Sequence, residues 1–137
     1  MGRGPVFADV SAMMINIHVA WIGFFLGCLA GAVPGLFFHD NDWLDGYGSW
    51  QRRMIRLAHI AFFGVGLLNL SFALTARTLG LEAGLQTASA LLVVGAVAMP
   101  LVCYLSAWKM AFRHLFFIPA VSVSVGIGLF TWRILVQ

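Results

Sequence analysis

Residues 54–76, MIRLAHIAFFGVGLLNLSFALTA, form an apolar run of the length that crosses a bilayer as a helix. Spanning the hydrocarbon core takes about 20 apolar residues. Three further runs of this kind lie at about 12–38, 86–107 and 111–136. Because lipid offers the backbone no hydrogen-bond partners, runs this long are predicted to be helices rather than barrel strands. The predicted fold is an all-α, up-down-up-down bundle of four transmembrane helices in a single domain.

The composition also predicts that the lipid bilayer is the main partner of the chain. Of its 137 residues, 61% are hydrophobic and 9% are charged, whereas a soluble domain carries about 25% charged residues. The net charge of +3 reflects few acids rather than a basic patch, which argues against nucleic-acid binding. The sequence contains no P-loop, HExxH or GxSxG motif. We therefore expect no catalytic residues of the soluble type.

The distribution of basic residues predicts the orientation of the bundle. The 39–53 loop and the turn at 108–110 lie on one side, the second face, and the termini and the 77–85 loop lie on the other, the first face. The second face holds Arg52, Arg53, Arg56, Lys109 and Arg113, and the first holds Arg3, Arg77 and Arg133. Cytoplasmic ends carry the excess of Lys and Arg. We expect a multi-pass protein of the bacterial inner (cytoplasmic) membrane with both termini in the periplasm.

Two histidines suggest a cofactor, because ionisable groups inside membrane helices are costly and tend to mark function. His59 and His114 lie about one turn inside the second and fourth predicted helices, which both start at the second face. Imidazoles from two helices at matched depth hold haem in membrane b-type cytochromes, where neutral imidazole is the axial ligand. We therefore expect His59 and His114 to bind the iron of haem b. The alternative is that each histidine bonds a neighbouring carbonyl or lies near headgroups.

The basic residues near these histidines would complete a haem site. Arg52, Arg53, Arg56 and Arg113 lie close to His59 or His114 in the sequence. A guanidinium group suits the carboxylates of haem propionates. The same arginines also satisfy the positive-inside rule without any cofactor.

His18 stands apart from the other histidines, near the first face. It is a candidate for a hydrogen bond to a quinone carbonyl, for ligation of a second cofactor, or for contact with a partner subunit. A packing role within the bundle is the alternative.

The first predicted helix carries a stripe of glycines spaced by four. These are Gly23, Gly27, Gly31 and Gly35. Residues four apart share a helix face, and small residues let another backbone or a flat cofactor come close. The stripe predicts a packing seam, through which another membrane subunit or a second copy could dock. A groove for a porphyrin, a quinone tail or a carotenoid is the other interpretation.

Two runs resemble a known group of proteins. IHVAWIGFFLG, residues 17–27, resembles the opening of small bacterial inner-membrane proteins that include the HemJ-type protoporphyrinogen oxidases and copper-resistance membrane domains. FRHLFFIPAV, residues 112–121, is similar to the last helix of the HemJ type. The resemblance implies a helical membrane fold and haem b. It would make His18 a haem ligand and leave the pairing of His59 with His114 open.

The leading functional expectation is a small haem b-binding subunit that transfers electrons, to or from quinone, within a larger respiratory or photosynthetic complex. One alternative is a cofactor-free structural or assembly subunit, which would be colourless. A second alternative is a HemJ-like porphyrinogen oxidase. A transporter is disfavoured because the four apolar runs contain no acid to couple ions.

Overall fold

The computed structural model of the chain describes the backbone of residues 5–81 and 83–136, with side chains described from Val10 onward. Over these residues the protein is all-helical, with 85% of the chain in helix and no strand. The α-helices are α1 (Pro5–Gly35), α2 (Trp50–Thr78), α3 (Gln86–Trp108) and α4 (Phe117–Leu135), and the 3₁₀ segments are η1 (Trp43–Asp45) and η2 (Met110–Phe116).

Four stretches of helix in the described chain are long and apolar enough to cross a membrane, which confirms this part of the sequence prediction. The stretches are Val10–Gly35, Trp50–Thr78, Gln86–Trp108 and Met110–Leu135. Large apolar side chains lie open on the outside of the bundle, among them Trp21, Phe25 and Leu36, which are between 62% and 72% exposed. A soluble protein rarely leaves so much apolar surface in contact with water.

Helices α1, α2 and α3 pack against one another, and α4 packs on α3. The α2 and α4 helices meet near the first face, where the rings of Phe72 and Phe130 are 4.6 Å apart, and they share little contact elsewhere. The largest buried apolar cluster lies at the same end and includes Phe72, Leu85 and Leu92. This buried apolar cluster therefore lies towards the first face.

The glycine stripe of α1 faces α2 of the same chain. A methyl group built at Gly27 would lie 2.7 Å from the ring of Phe63, and one at Gly31 would lie 2.5 Å from the ring of His59. A methyl at Gly23 would lie 3.4 Å from a backbone oxygen of α2, whereas one at Gly35 would meet no described atom within 4 Å. Docking of a second subunit through the stripe stays a prediction, with Gly35 as the position that α2 leaves open.

At the end of α1 and before the start of α4 the helical hydrogen bonding changes within an apolar run. The first run continues to Phe38, but α1 ends at Gly35, one residue after Pro34. The amide nitrogens of Phe37 and Phe38 bond the carbonyl oxygens three residues earlier, in a tighter turn. In the fourth run, the seven residues of η2 precede α4. Pro119 then falls in the first turn of α4, where its missing N–H costs no hydrogen bond.

Candidate functional site

His59 lies at the seam between α1 and α2. Its Nδ1 atom is 2.8 Å from the carbonyl oxygen of Gly27, so the ring donates a proton across to α1. The ring packs edge-on against Phe63, with centroids 5.3 Å apart. No described residue bonds the second ring nitrogen, Nε2. Histidines that bind metals characteristically donate their other N–H to a carbonyl in this way, which fixes the ring and the tautomer.

A groove of about 260 Å³ lies beside the imidazole, between α1 and α2. It is lined by Ala30, Gly31, Pro34, Phe38, Ile55, Arg56, His59 and Ile60. Most of the lining is apolar, and on the α1 side it includes Ala30 and Gly31, with Gly31 in close contact with the ring. Arg56 adds a positive charge at the second-face end. The groove thus brings together an imidazole, apolar side chains and a guanidinium, which are groups that haem ligation and carboxylate binding use.

His114 lies in a different part of the bundle. It is exposed in η2, which packs on α3 and α4, whereas His59 faces α1. The α2 and α4 helices approach each other at the opposite end, through Phe72 and Phe130. The structure therefore shows no contact that brings the two histidines together within the described chain. Their joint ligation of one iron stays a prediction.

Two of the four arginines bind the loop between α1 and α2. Arg52 is buried, and its terminal nitrogen donates to the carbonyl oxygen of Asp40 at 2.5 Å. Arg56 donates to the carbonyl oxygen of Tyr47 at 3.3 Å, and its guanidinium lies 4.1 Å from the centre of that ring. Arg56 is the one that also lines the groove beside His59. The loop thus positions the guanidinium of the arginine that lines the same groove as the candidate ligand.

The remaining predicted site residues lie on the surface of the bundle. Arg53 is exposed with its guanidinium 5.9 Å from the centre of the Trp50 ring, and Arg113 is exposed in η2 next to His114. His18 is exposed on α1 towards the first face. None of these three residues shares the groove of His59. Their roles toward propionates, a quinone or a partner stay predictions.

A second apolar groove, of about 420 Å³, lies on the α1–α3 side of the bundle. Its walls include Gly23, Leu26, Phe62, Gly66 and Tyr104. A further cavity of about 480 Å³ lies next to this groove, towards the second face. It has Leu26, Phe62 and Tyr104 in common with the second groove. It has Ala30, Pro34 and Ile55 in common with the groove beside His59. The further cavity therefore lies between the two grooves and is lined by residues of α1 and α2 that belong to one groove or the other.

Comparison with protein-family models, with curated proteins and with solved structures found no match to this chain.

A buried polar cluster is the feature that sequence reasoning missed. Asn16, Asn69 and Ser89 are each at most 4% exposed, in the packing between α1, α2 and α3. The side-chain nitrogen of Asn69 donates to the carbonyl oxygen of Leu92 on α3. The available signal was the presence of two amides and a hydroxyl deep in apolar runs, where unpaired polar groups are costly.

Proposed function

We propose that this chain is a small haem b-binding subunit of the bacterial inner membrane that transfers electrons within a larger complex. His59 is the iron ligand that the geometry favours, through Nε2. The observation that carries this assignment is the hydrogen bond from His59 Nδ1 to the Gly27 carbonyl, because a donating Nδ1 leaves Nε2 without a described partner on a residue that lines an apolar groove. Haem would supply reversible one-electron chemistry, and the residues of the groove would position it and exclude water.

Several of the predicted residues keep a role in this proposal. Arg56 would neutralise one propionate, since it lines the His59 groove. Arg52, Arg53 and Arg113 would contribute positive charge at the same face of the membrane. His114 would complete an axial pair from the exposed surface of η2. Because η2 packs on α3 and α4, the pair would form most directly between two copies of the chain or after a rearrangement of α4.

The quinone part of the proposal rests on the second groove. This groove is apolar, and the further cavity that continues it shares Ala30, Pro34 and Ile55 with the groove next to His59. An isoprenoid tail matches such a surface in chemistry and shape. Leu26, Phe62 and Tyr104 would hold such a tail, and the quinone would supply two-electron redox chemistry when bound.

The orientation proposed from the charges places the 39–53 loop, η2 and the haem groove at the cytoplasmic side, and both termini in the periplasm. Five basic residues against three support this arrangement. The exposed apolar surface of α1 and α4 supports insertion into a bilayer with neighbouring subunits.

A cofactor-free structural subunit is the second candidate, and the same hydrogen bond favours it. His59 and Gly31 fit closely enough that the imidazole could serve only to join α2 to α1. The visible absorption spectrum separates the two candidates. The protein should be expressed with haem supplied, purified in mild detergent, and measured before and after reduction with dithionite. A sharp band that appears on reduction supports haem b, and a colourless protein supports the structural subunit.

A further inference from the structure

The cluster of Asn16, Asn69 and Ser89 contains two buried oxygen atoms that no described residue satisfies. Both asparagine side chains are 0% exposed. The Oδ1 atom of Asn16 and the Oδ1 atom of Asn69 each lack a hydrogen-bond partner. In a protein interior, and above all inside a membrane, such groups are paired with protein atoms or with ordered water.

The orientation of each amide is fixed by its neighbours. The nitrogen of Asn69 donates to the carbonyl oxygens of Val65, at 2.9 Å, and of Leu92, at 3.2 Å. The nitrogen of Asn16 donates to the carbonyl oxygen of Ala12 at 2.8 Å and to the hydroxyl of Ser89. A carbonyl can only accept, so turning either amide over would place two acceptors against each other. The unsatisfied atoms are therefore both acceptors.

The two amides lie close in depth. Both bond α3, and their partners Ser89 and Leu92 are three residues apart, which is a rise of about 4.5 Å along a helix. The α1 and α2 helices also meet here, because a methyl group at Gly66 would lie 3.4 Å from the carbonyl oxygen of Ala20. Asn16 lies one turn before Ala20, and Asn69 lies three residues after Gly66.

We propose that one buried water molecule binds between α1, α2 and α3 and donates its two hydrogens to Oδ1 of Asn16 and Oδ1 of Asn69. A water molecule can donate two hydrogen bonds, one to each of the two unpaired acceptor oxygens. Buried waters characteristically make two to four hydrogen bonds. Small buried residues flank the position, with Ala12 and Ala20 one turn on either side of Asn16 and Ala73 one turn after Asn69.

A metal cation fits the cluster less well than water does. No Asp or Glu lies in the four apolar stretches, so a cation would bring an unbalanced charge into the apolar interior. The hydroxyl of Ser89 already receives a hydrogen bond from Asn16 and lies 3.4 Å from the Ala12 carbonyl oxygen. The ligand we infer is therefore neutral and a double donor.

An experimental map of the full chain in a lipid nanodisc, at a resolution that shows ordered waters, tests the proposal directly. We expect one density peak within hydrogen-bond distance of both Oδ1 atoms. Side chains turned to bond each other or the backbone, with no peak between them, would contradict the proposal. A Tm that rises with Na⁺, compared with choline at equal ionic strength, would also contradict it, because a cation would then occupy the cluster.

A double-mutant cycle tests whether the two asparagines share the molecule. Asn16→Leu and Asn69→Leu should each lower Tm, and the double variant should lose less than the sum of the two losses, because either substitution already removes the water. Ser122→Ala is the control partner. Its hydroxyl bonds the Leu91 carbonyl on α3, at the junction with α4, so its loss should add to that of Asn16→Leu. Simple additivity of the two asparagine variants would overturn the sharing of one water.

Discussion

The Nδ1 atom of His59 lies 2.8 Å from the carbonyl oxygen of Gly27, so an imidazole links the second helix to the first across a seam of glycines. The bond orients a ring that also packs against Phe63 and Gly31, and donation to a carbonyl requires a proton on Nδ1. It leaves Nε2 as the nitrogen with electrons available for a metal. The packing of α1 on α2 and the proposed ligand chemistry thus depend on the same two residues.

The glycine seam predicts a strong dependence on side-chain size at Gly27. Gly27→Leu should lower the free energy of unfolding by about 1–3 kcal/mol, since any side chain meets Phe63. Gly64→Leu is the matched control, because a methyl group there would meet no described atom within 4 Å. Thermal unfolding in detergent, followed by circular dichroism, measures both. Equal melting of the two variants would show that the seam is not tightly packed.

A second pair of glycines tests how α4 is held. A methyl group at Gly126 would lie 3.3 Å from the carbonyl oxygen of Ala88 on α3, whereas one at Gly128 would meet no described atom within 4 Å. Because α4 packs mainly on α3, Gly126→Leu should loosen α4 and Gly128→Leu should not. A cysteine pair across α3 and α4 should crosslink less efficiently in the first variant only. Unchanged crosslinking in Gly126→Leu would contradict this arrangement.

The fold was predictable from sequence where one strong physical effect decides it. Long apolar runs specify helices, because lipid satisfies no backbone group, and the spacing of Gly23, Gly27 and Gly31 specifies a packing face. The end of α1 at Gly35 was not predictable from hydropathy, since Leu36 and Phe37 are as apolar as the helix itself. There the change in hydrogen bonding after Pro34 decides the boundary.

The candidate site was predictable only in part. The cost of an ionisable group in a membrane helix directs attention to His59, but the sequence does not say which neighbouring helix the ring faces. That depends on helix rotation, which the small residues of α1 fix by admitting the imidazole at Gly31. Helix rotation also decides that the Asn69 side chain bonds α3, so this contact could not be predicted from the sequence either.

His59→Ala should be only mildly destabilising. The Gly27 carbonyl keeps its intrahelical acceptor role after the imidazole is removed, and polar contacts between membrane helices average about 0.6 kcal/mol with a maximum near 1.7. A loss within this range is therefore expected from thermal unfolding of the protein without haem. A much larger loss would mean that the histidine is chiefly a structural bond, which would favour the cofactor-free subunit.

The proposed orientation can be measured with a membrane-impermeant maleimide on intact bacterial cells, after Cys28 and Cys103 have been replaced. Thr78→Cys, at the end of α2, should be labelled from the periplasm. Asp45→Cys, in the loop before α2, should be labelled only after the cells are opened. Labelling of Asp45→Cys alone in intact cells would reverse the orientation.

The reduced-minus-oxidised absorption spectrum of the purified protein and its histidine variants tests the central claim most directly. We predict a haem b band in the parent, its loss in His59→Ala, conversion from a low-spin to a high-spin spectrum in His114→Ala, and little change in His39→Ala, whose ring bonds the Leu36 carbonyl in the loop. His18→Ala should also keep the band. Loss of the band in His18→Ala with His59→Ala unchanged would favour the HemJ-like arrangement instead. A parent protein that stays colourless when haem is supplied would contradict haem binding altogether.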